Sequence, residues 1–292
     1  MITLLVNPTA GNGRAKKVAI TVQELLKQKN IPYLRRDTTH PQAATALAKE
    51  VADTAAEGDL LLTIGGDGTF LETIQGLQGS SLPVAAIPAG TGNDFLKSLQ
   101  MPRDPAEALE RVLTAPVRRV DVGTVNGGLF ANECGAGFDV AVLDYAEPVK
   151  KVFRGLIPYL WGVVKAIFCF RSLPLTVTAD GQEVFRGESL VISVANGQYI
   201  GGGIHISPTA DPQSGKLELI VLQKCGLFRK MSYLPGLLGG KILQFRDTVV
   251  HCRASRVTVR SPRPFRVNVD GEIHPMEQCD FTVLPAALLI KM

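Results

Sequence analysis

Two rhythms of apolar and polar positions run along this chain and divide it. In the first part, short unbroken apolar runs alternate with longer stretches whose apolar residues recur every three or four positions. The runs at 2–6, 60–64 and 83–87 have the length of buried strands, and a further strand is expected near 32–37. Between them, residues 14–29 place Val18, Val22, Leu25 and Leu26 on one helical face, and a helix from Pro41 turns Ala44, Leu47, Ala48 and Val51 inward. Pro41 suits a first helical turn, with Thr39 or His40 just outside. Another helix is expected after 60–64, to about Leu77, and Asp104-Pro105 reads as an N-cap and first residue of a helix to about Leu113. Strands separated by helix-length crossovers predict a doubly wound parallel sheet with helices on both faces.

Past about residue 120 the rhythm shortens. Strand-like runs at 173–179, 184–186, 188–195, 216–223, 248–252, 256–260, 265–269 and 280–284 are parted by Gly, Pro, Asn and Asp, and Asp180-Gly181 reads as a hairpin turn. Helical stretches near 152–170 and 227–239 interrupt them. The pattern predicts an α/β domain over 1–125 and an antiparallel β-rich domain over 126–285, with residues 286–292 able to pair back on either.

Composition adds limits. The chain has 292 residues, a hydrophobic share of 46%, a formal net charge of +4 and a pI near 8.8. That mild excess is not a nucleic-acid footprint, though it suits an anionic nucleotide or lipid headgroup. Five scattered cysteines (134, 169, 225, 252 and 279) without a CxxC predict reduced thiols in a cytoplasmic protein and no disulfide frame or zinc centre. No signal peptide is expected at Met1, and Arg154, Pro158 and Lys165 argue against a spanning helix at 152–170.

Chemistry concentrates in three glycine-rich loops, each following a predicted strand: Asn7–Gly13 (NPTAGNG), Gly65–Thr69 (GGDGT) and Pro88–Asp94 (PAGTGND). A parallel sheet carries the carboxyl ends of its strands to one edge, so all three loops can line one cleft. Glycines there let bare N–H groups approach a polyphosphate. Asp67 would repel phosphates unless it meets them through a divalent cation or takes part in proton transfer. None of the loops fits the Walker or the dinucleotide pattern.

Together these motifs resemble the bacterial diacylglycerol kinase family of lipid kinases, more distantly the sphingosine and ceramide kinases. The likeness includes Asn7-Pro8 with Gly11, Thr38 ahead of His40-Pro41, Gly65–Thr69 with Glu72, and Gly90–Phe95. It continues through Asn132, Gly135, Gly137-Phe138-Asp139, Asn196-Gly197, Gly201–Gly203 and Asp270-Gly271-Glu272. The resemblance implies a fold shared with NAD kinases, with the active site in the cleft between an α/β domain and a C-terminal β-sandwich. It implies ATP contacted by Asn7, Thr9, Gly11, Thr38, Gly66, Asp67, Gly68, Thr69, Glu72, Thr91 and Asn93. Glu272 is marked as the general base, with Asp270 in the same catalytic turn. Asp67 would hold a catalytic Mg²⁺ through water, with Asn93 or Asp94 in support; the roles of Asp67 and Glu272 could be exchanged. Lys16 and Lys17 could add charge near the phosphates, although solvated positions on the first helix suit them as well.

Two departures stand out. Leu71 replaces a polar residue near the nucleotide, and in a second, structural Mg²⁺ turn Asp211, Ser214 and the Lys216 carbonyl remain where a carboxylate is usual at position 214. Fewer anionic ligands predict a weak site. The acceptor is a lipid alcohol. Apolar residues of 153–170 (Leu156, Ile157, Tyr159, Leu160, Trp161, Val164, Ile167, Phe168) and of 227–245 would form its groove or a membrane-facing rim. Arg154, Arg171, Arg229, Lys230, Lys241 and Arg246 flank them and would meet anionic headgroups in a transient, peripheral contact with the inner membrane surface. No nucleic-acid partner is expected, and an exposed β-edge would permit a homodimer. The competing readings are an NAD kinase-like enzyme and a non-catalytic lipid-binding member of the fold.

Overall fold

The opening apolar run forms strand β1 (Ile2–Val6), buried along its whole length. The structure, a computed structural model, describes all residues except 151 and 154–156, and at positions 150 and 234 only the backbone. Parallel to β1 lie β2 (Tyr33–Asp37), β3 (Leu60–Gly65) and β4 (Val84–Pro88), in the order β2-β1-β3-β4. The chain leaves β1 in one direction and returns past it in the other, so a switch point opens between the carboxyl ends of β1 and β3. Right-handed crossovers put the helix of the β1-to-β2 step on one face and those of the two steps in the other direction on the opposite face. Accordingly α1 (Arg14–Gln28) packs with α5 (Pro105–Thr114), and α2 (Ala43–Thr54) with α3 (Asp67–Gly76). The short α4 (Asp94–Ser98) follows the β4 loop.

Both ends of α5 match expectation, with the Asp104 carboxylate accepting from the N–H groups of Ala106 and Glu107. The start of α2 differs. Pro41 lies in the turn before the helix, because Gln42 adopts a left-handed conformation at φ 66° and the helix begins at Ala43.

The second half contains β5 (Val117–Val125), β6 (Gly128–Phe130), β7 (Glu133–Gly137), α6 (Phe138–Lys150) and α7 (Ile157–Cys169). It continues with β8 (Leu173–Ala179), β9 (Gln182–Ala195), β10 (Leu217–Gln223), α8 (Leu227–Leu238), β11 (Val249–Ala254), β12 (Arg256–Val269) and β13 (Glu272–Lys291). Runs read as separate strands merge here: 184–186 with 188–195 into β9, and 256–260 with 265–269 into β12 across an irregular register between Arg260 and Phe265. Strands β5 to β7 and helix α6 were not among the predicted elements. Arg154 and Leu156 lie outside the described residues.

Along one edge, strands β9 and β12 each serve two partners, pairing with β8 at one end and β7 at the other, while their opposite edges pair with β10 and β13. The sheet therefore folds over itself as a sandwich around a second core that includes Phe130, Val177, Val194, Leu219, Val257 and Phe281. The last strand joins the two halves. β13 runs antiparallel to β12 and β5, then meets β4 in parallel at Ile290 and Val84, delivering Leu288, Ile290 and Met292 to the core beneath the first sheet.

Candidate active site

Because β1, β3 and β4 are parallel neighbours, their three loops leave the sheet side by side. The contact is close: a Cβ on Gly11 would overlap the Ala89 carbonyl, and one on Gly90 would overlap the Gly66 backbone. Gly11, Asn12 and Gly13 are all left-handed, at φ 59°, 55° and 86°. Polar side chains stitch the loops together. The Thr9 hydroxyl donates to Asn7 Oδ1 at 2.8 Å, and Asn7 Nδ2 donates to Thr69 Oγ1 at 3.0 Å. Asn93 Oδ1 accepts from the Gly90 N–H at 2.9 Å, while its Nδ2 donates back to the Gly90 carbonyl at 2.8 Å. Gly68 and Thr91 stay exposed, a Cβ on Gly68 would meet open space, and Thr38 follows β2 with its N–H on the Val6 carbonyl. The Glu72 carboxylate accepts from the Ala44 N–H and so closes the start of α2. Leu71 packs against the first core.

Asp67 begins α3, and its carboxylate accepts from backbone N–H groups at the start of α4, Phe95 among them at 3.2 Å. Burial raises its pKa, and the nearby Asp94 adds to the shift. Asp94 in turn accepts from Lys97 Nζ at 2.8 Å and from the Gly202 N–H at 2.7 Å. The Asp94–Lys97 pair, with side chains 9% and 16% exposed, therefore ties α4 to the loop of Gly201–Gly203, whose φ values are all positive. Nearby, the Ser98 hydroxyl accepts from the Gln198 N–H.

Asp270 and Gly271 form the turn between β12 and β13, at φ 47° and 103°. The Asp270 carboxylate is buried and accepts from three N–H groups, those of Ala131 (2.6 Å), Asn132 (3.0 Å) and Glu133 (2.8 Å). Such donors alone would lower its pKa. Burial outweighs them and, with the charge of Asp67 adding to it, pushes the value up to about 6. A carboxylate so occupied positions the turn. Glu272, two residues on, is 82% exposed, with His274 at 3.7 Å.

Beside this turn lie two carboxylates that the sequence reading gave no role. Burial, with Asp139 next, raises Glu133 well above the ordinary range, and burial holds Asp139 at about 6. Their oxygens converge over Gly135, where a Cβ would overlap both. Lys97 was also missed; its position one helical turn after Asp94 is the signal that could have found it.

The acid-rich interior fits a divalent cation. Among the described residues no three acidic, histidine or cysteine side chains converge as an ion cage, so the ion would be shared between Asp67, water and nucleotide phosphates. The 211–216 turn does not fit a dedicated ion. Ser214 Oγ donates to the Asp211 carbonyl at 2.7 Å and lies 3.2 Å from the Lys216 carbonyl, while Asp211 Oδ1 accepts from Gln213 N–H. The hydroxyl thus spans two carbonyls that a cation would need, and the turn is fastened further by the Gly215 N–H on Asp121.

Two family models match the chain. Residues 1–125 match the diacylglycerol kinase catalytic domain, and residues 132–292 match the YegS C-terminal NAD kinase beta sandwich-like domain. A diacylglycerol kinase of Bacillus subtilis is 30% identical over 285 residues, covering 96% of this chain and 92% of that protein. A diacylglycerol kinase of Mycobacterium tuberculosis is 28% identical, covering 99% and 94%. Among solved structures, a diacylglycerol kinase from Bacillus anthracis superposes with a TM-score of 0.75 at 25% identity, covering 99% of this chain and 96% of that one. Yeast NADH kinase, at 11% identity and a TM-score of 0.50 over 99% and 82% of the two chains, shares the fold alone.

Proposed function

The chain belongs to the diacylglycerol kinase family of lipid kinases, and from that membership we propose that it transfers the γ-phosphate of ATP to the hydroxyl of diacylglycerol or a related lipid alcohol. What supports the reading most is that the short helix beside Asp67 is bonded to the second half: Asp94 accepts from the Gly202 N–H at 2.7 Å and the Ser98 hydroxyl from the Gln198 N–H, while Gly197 lies against Asn132, whose own N–H is on Asp270. On that basis the loops able to cradle phosphates and the turn bearing the exposed Glu272 carboxylate are assigned to one cleft.

In this reading the N–H groups of Gly11 and Asn12, of Gly66–Thr69 and of Thr91 bind the triphosphate, and Asn7, Thr9, Thr38 and Asn93 hold those loops in shape. Glu272 takes the proton from the lipid hydroxyl as its oxygen bonds to the γ-phosphorus, and the bond to the ADP oxygen breaks. An exposed carboxylate at a turn is suited to a substrate arriving from outside the cleft. Asp67 would hold a divalent cation beside the phosphates, and that ion would supply charge neutralisation there. Asp270 fixes the turn that carries Glu272, and Lys97 balances Asp94. Most of the catalysis is then positioning and electrostatics, which a site of loops and carboxylates can provide without a strong nucleophile.

The test is phosphorylation of diacylglycerol in mixed micelles with labelled ATP, beside NAD as an alternative acceptor. Removing a positioned general base costs about 10²–10⁴-fold, so Glu272→Ala should lose that much kcat with nucleotide affinity unchanged. Turnover of Glu272→Gln within a few-fold of wild type would move the base elsewhere. Preferential phosphorylation of NAD would overturn the lipid assignment.

A further inference from the structure

Away from the nucleotide loops, a cavity of about 630 Å³ opens where the residues after α7, the start of β8, the first turn of α8 with the segment after β10, and the middles of β9 and β12 meet. Four cations border it: Arg171, Lys224, Lys230 and Arg263. None of the four forms an ion pair with an acidic side chain among the described residues. The single carboxylate in the lining, Glu188, already accepts from the Ser172 hydroxyl. Lys230 Nζ faces the carbonyls of Ile167 and Phe170 at 3.5 and 3.4 Å, the negative end of α7, and so bridges the two helices. The cavity thus carries unbalanced positive charge that a folded protein has no structural need to gather.

Its surroundings say what kind of anion it would take. The helices that form its mouth expose Trp161, Val164 and Phe168 on α7, and Phe228 and Met231 on α8, with Phe228 88% exposed. Large apolar side chains left in water beside a cationic hollow match a molecule with an anionic head and apolar tails. Leu190, in the lining, lies on β9 six residues before Asn196, about 20 Å of extended strand from the end that reaches the Asp121 and Ala131 carbonyls.

We propose that this cavity is a headgroup site for an anionic phospholipid of the bilayer, separate from the catalytic cleft: the four cations take the phosphate while the α7–α8 ridge enters the acyl layer. The site deepens the lipid-kinase reading by saying how the chain reaches its substrate's membrane, yet its occupancy is measured without turnover.

Co-sedimentation of the full chain with vesicles of pure phosphatidylcholine, or of phosphatidylcholine with phosphatidylglycerol, tests it. Arg171, Lys224 and Arg263 are exposed, so replacing them leaves the core intact. At about 1 kcal/mol per cation near an anionic surface, Lys224→Ala with Arg263→Ala should weaken binding to the anionic vesicles roughly thirtyfold. The weak binding to neutral vesicles should be unmoved, as should turnover of short-chain diacylglycerol in neutral micelles. Phe228→Ser should weaken binding to both kinds of vesicle. Equal vesicle binding by wild type and the double variant would overturn the site. So would calorimetric saturation of the cavity by inorganic phosphate alone at low millimolar concentration, which would make it a soluble-anion site. Self-association of the lipid-free chain that Phe228→Ser abolishes would assign the ridge to a second copy instead. Absence of kinase activity with vesicle binding intact would count against the proposed function and leave this site standing.

Discussion

At the scale of single residues, the site is governed by what burial does to carboxylates. Asp270 has three N–H partners and still titrates at about 6, above the 3.8 of an ordinary aspartate. Between those values the folded chain keeps a proton that the unfolded chain releases, so this group's contribution to stability is full below about pH 4 and is lost as pH rises through about 6. Asp270→Asn removes the titration. The gap in unfolding free energy between wild type and that variant should therefore narrow by up to ~3 kcal/mol between pH 4 and pH 7, read from urea titrations at each pH. A gap that widens with pH would show that the three N–H donors win over burial.

The residues the sequence did not reveal belong to this same scale. Glycines at 11, 66 and 90 are legible because close backbone approach permits little else. Glu133 and Asp139 are ordinary letters in a sequence, and what sets them apart is their burial against each other across Gly135. Glu72 shows the converse: its motif implied a nucleotide contact, and only the structure reveals that its carboxylate also holds the first turn of α2.

Among elements, local signals were read well and distant pairings were not. α5 shows both of its start signals, Asp104 and Pro105, in adjacent letters. Loss of an N-cap costs about 1 kcal/mol, so Asp104→Ala should lower the stability of the first half by that amount, measured by chemical denaturation, without changing nucleotide affinity. β1 and β8 were legible to the residue since each is a short run bounded by turn residues. β5 was not, because Val117, Arg118 and Arg119 are all exposed and give no alternation. What makes β5 a strand is its antiparallel partner β13, through pairs such as Phe281 with Val125. Of β13 only the run 280–284 was legible, for a related reason: Pro275 and Pro285 break its pattern, and its register shifts between Leu284 and Leu288 where it passes from one core to the other. No helix among the described residues is long and apolar enough to span a membrane.

For the whole molecule, the decisive feature is that the two cores share one strand. Phe281 and Val283 belong to the sandwich core, while Leu288 and Ile290, a few residues on, belong to the core under the first sheet. Ile290 is 1% exposed and is the point where β13 meets β4. An unpaired charge placed there costs several kcal/mol, so Ile290→Asp should destabilise both halves together. Hydrogen exchange should then show faster opening in β4 and in β12 alike; a change confined to β4 would mean the halves melt independently.

That shared strand also sets an order in time. During synthesis the first four strands emerge early, but the residues that seal their interior, Leu288, Ile290 and Met292, follow only after β5 to β12. The amino-terminal half must then wait, incompletely closed, until the whole β-rich half has been made, and a product terminated anywhere between β4 and position 288 leaves apolar surface uncovered for proteases and chaperones to find.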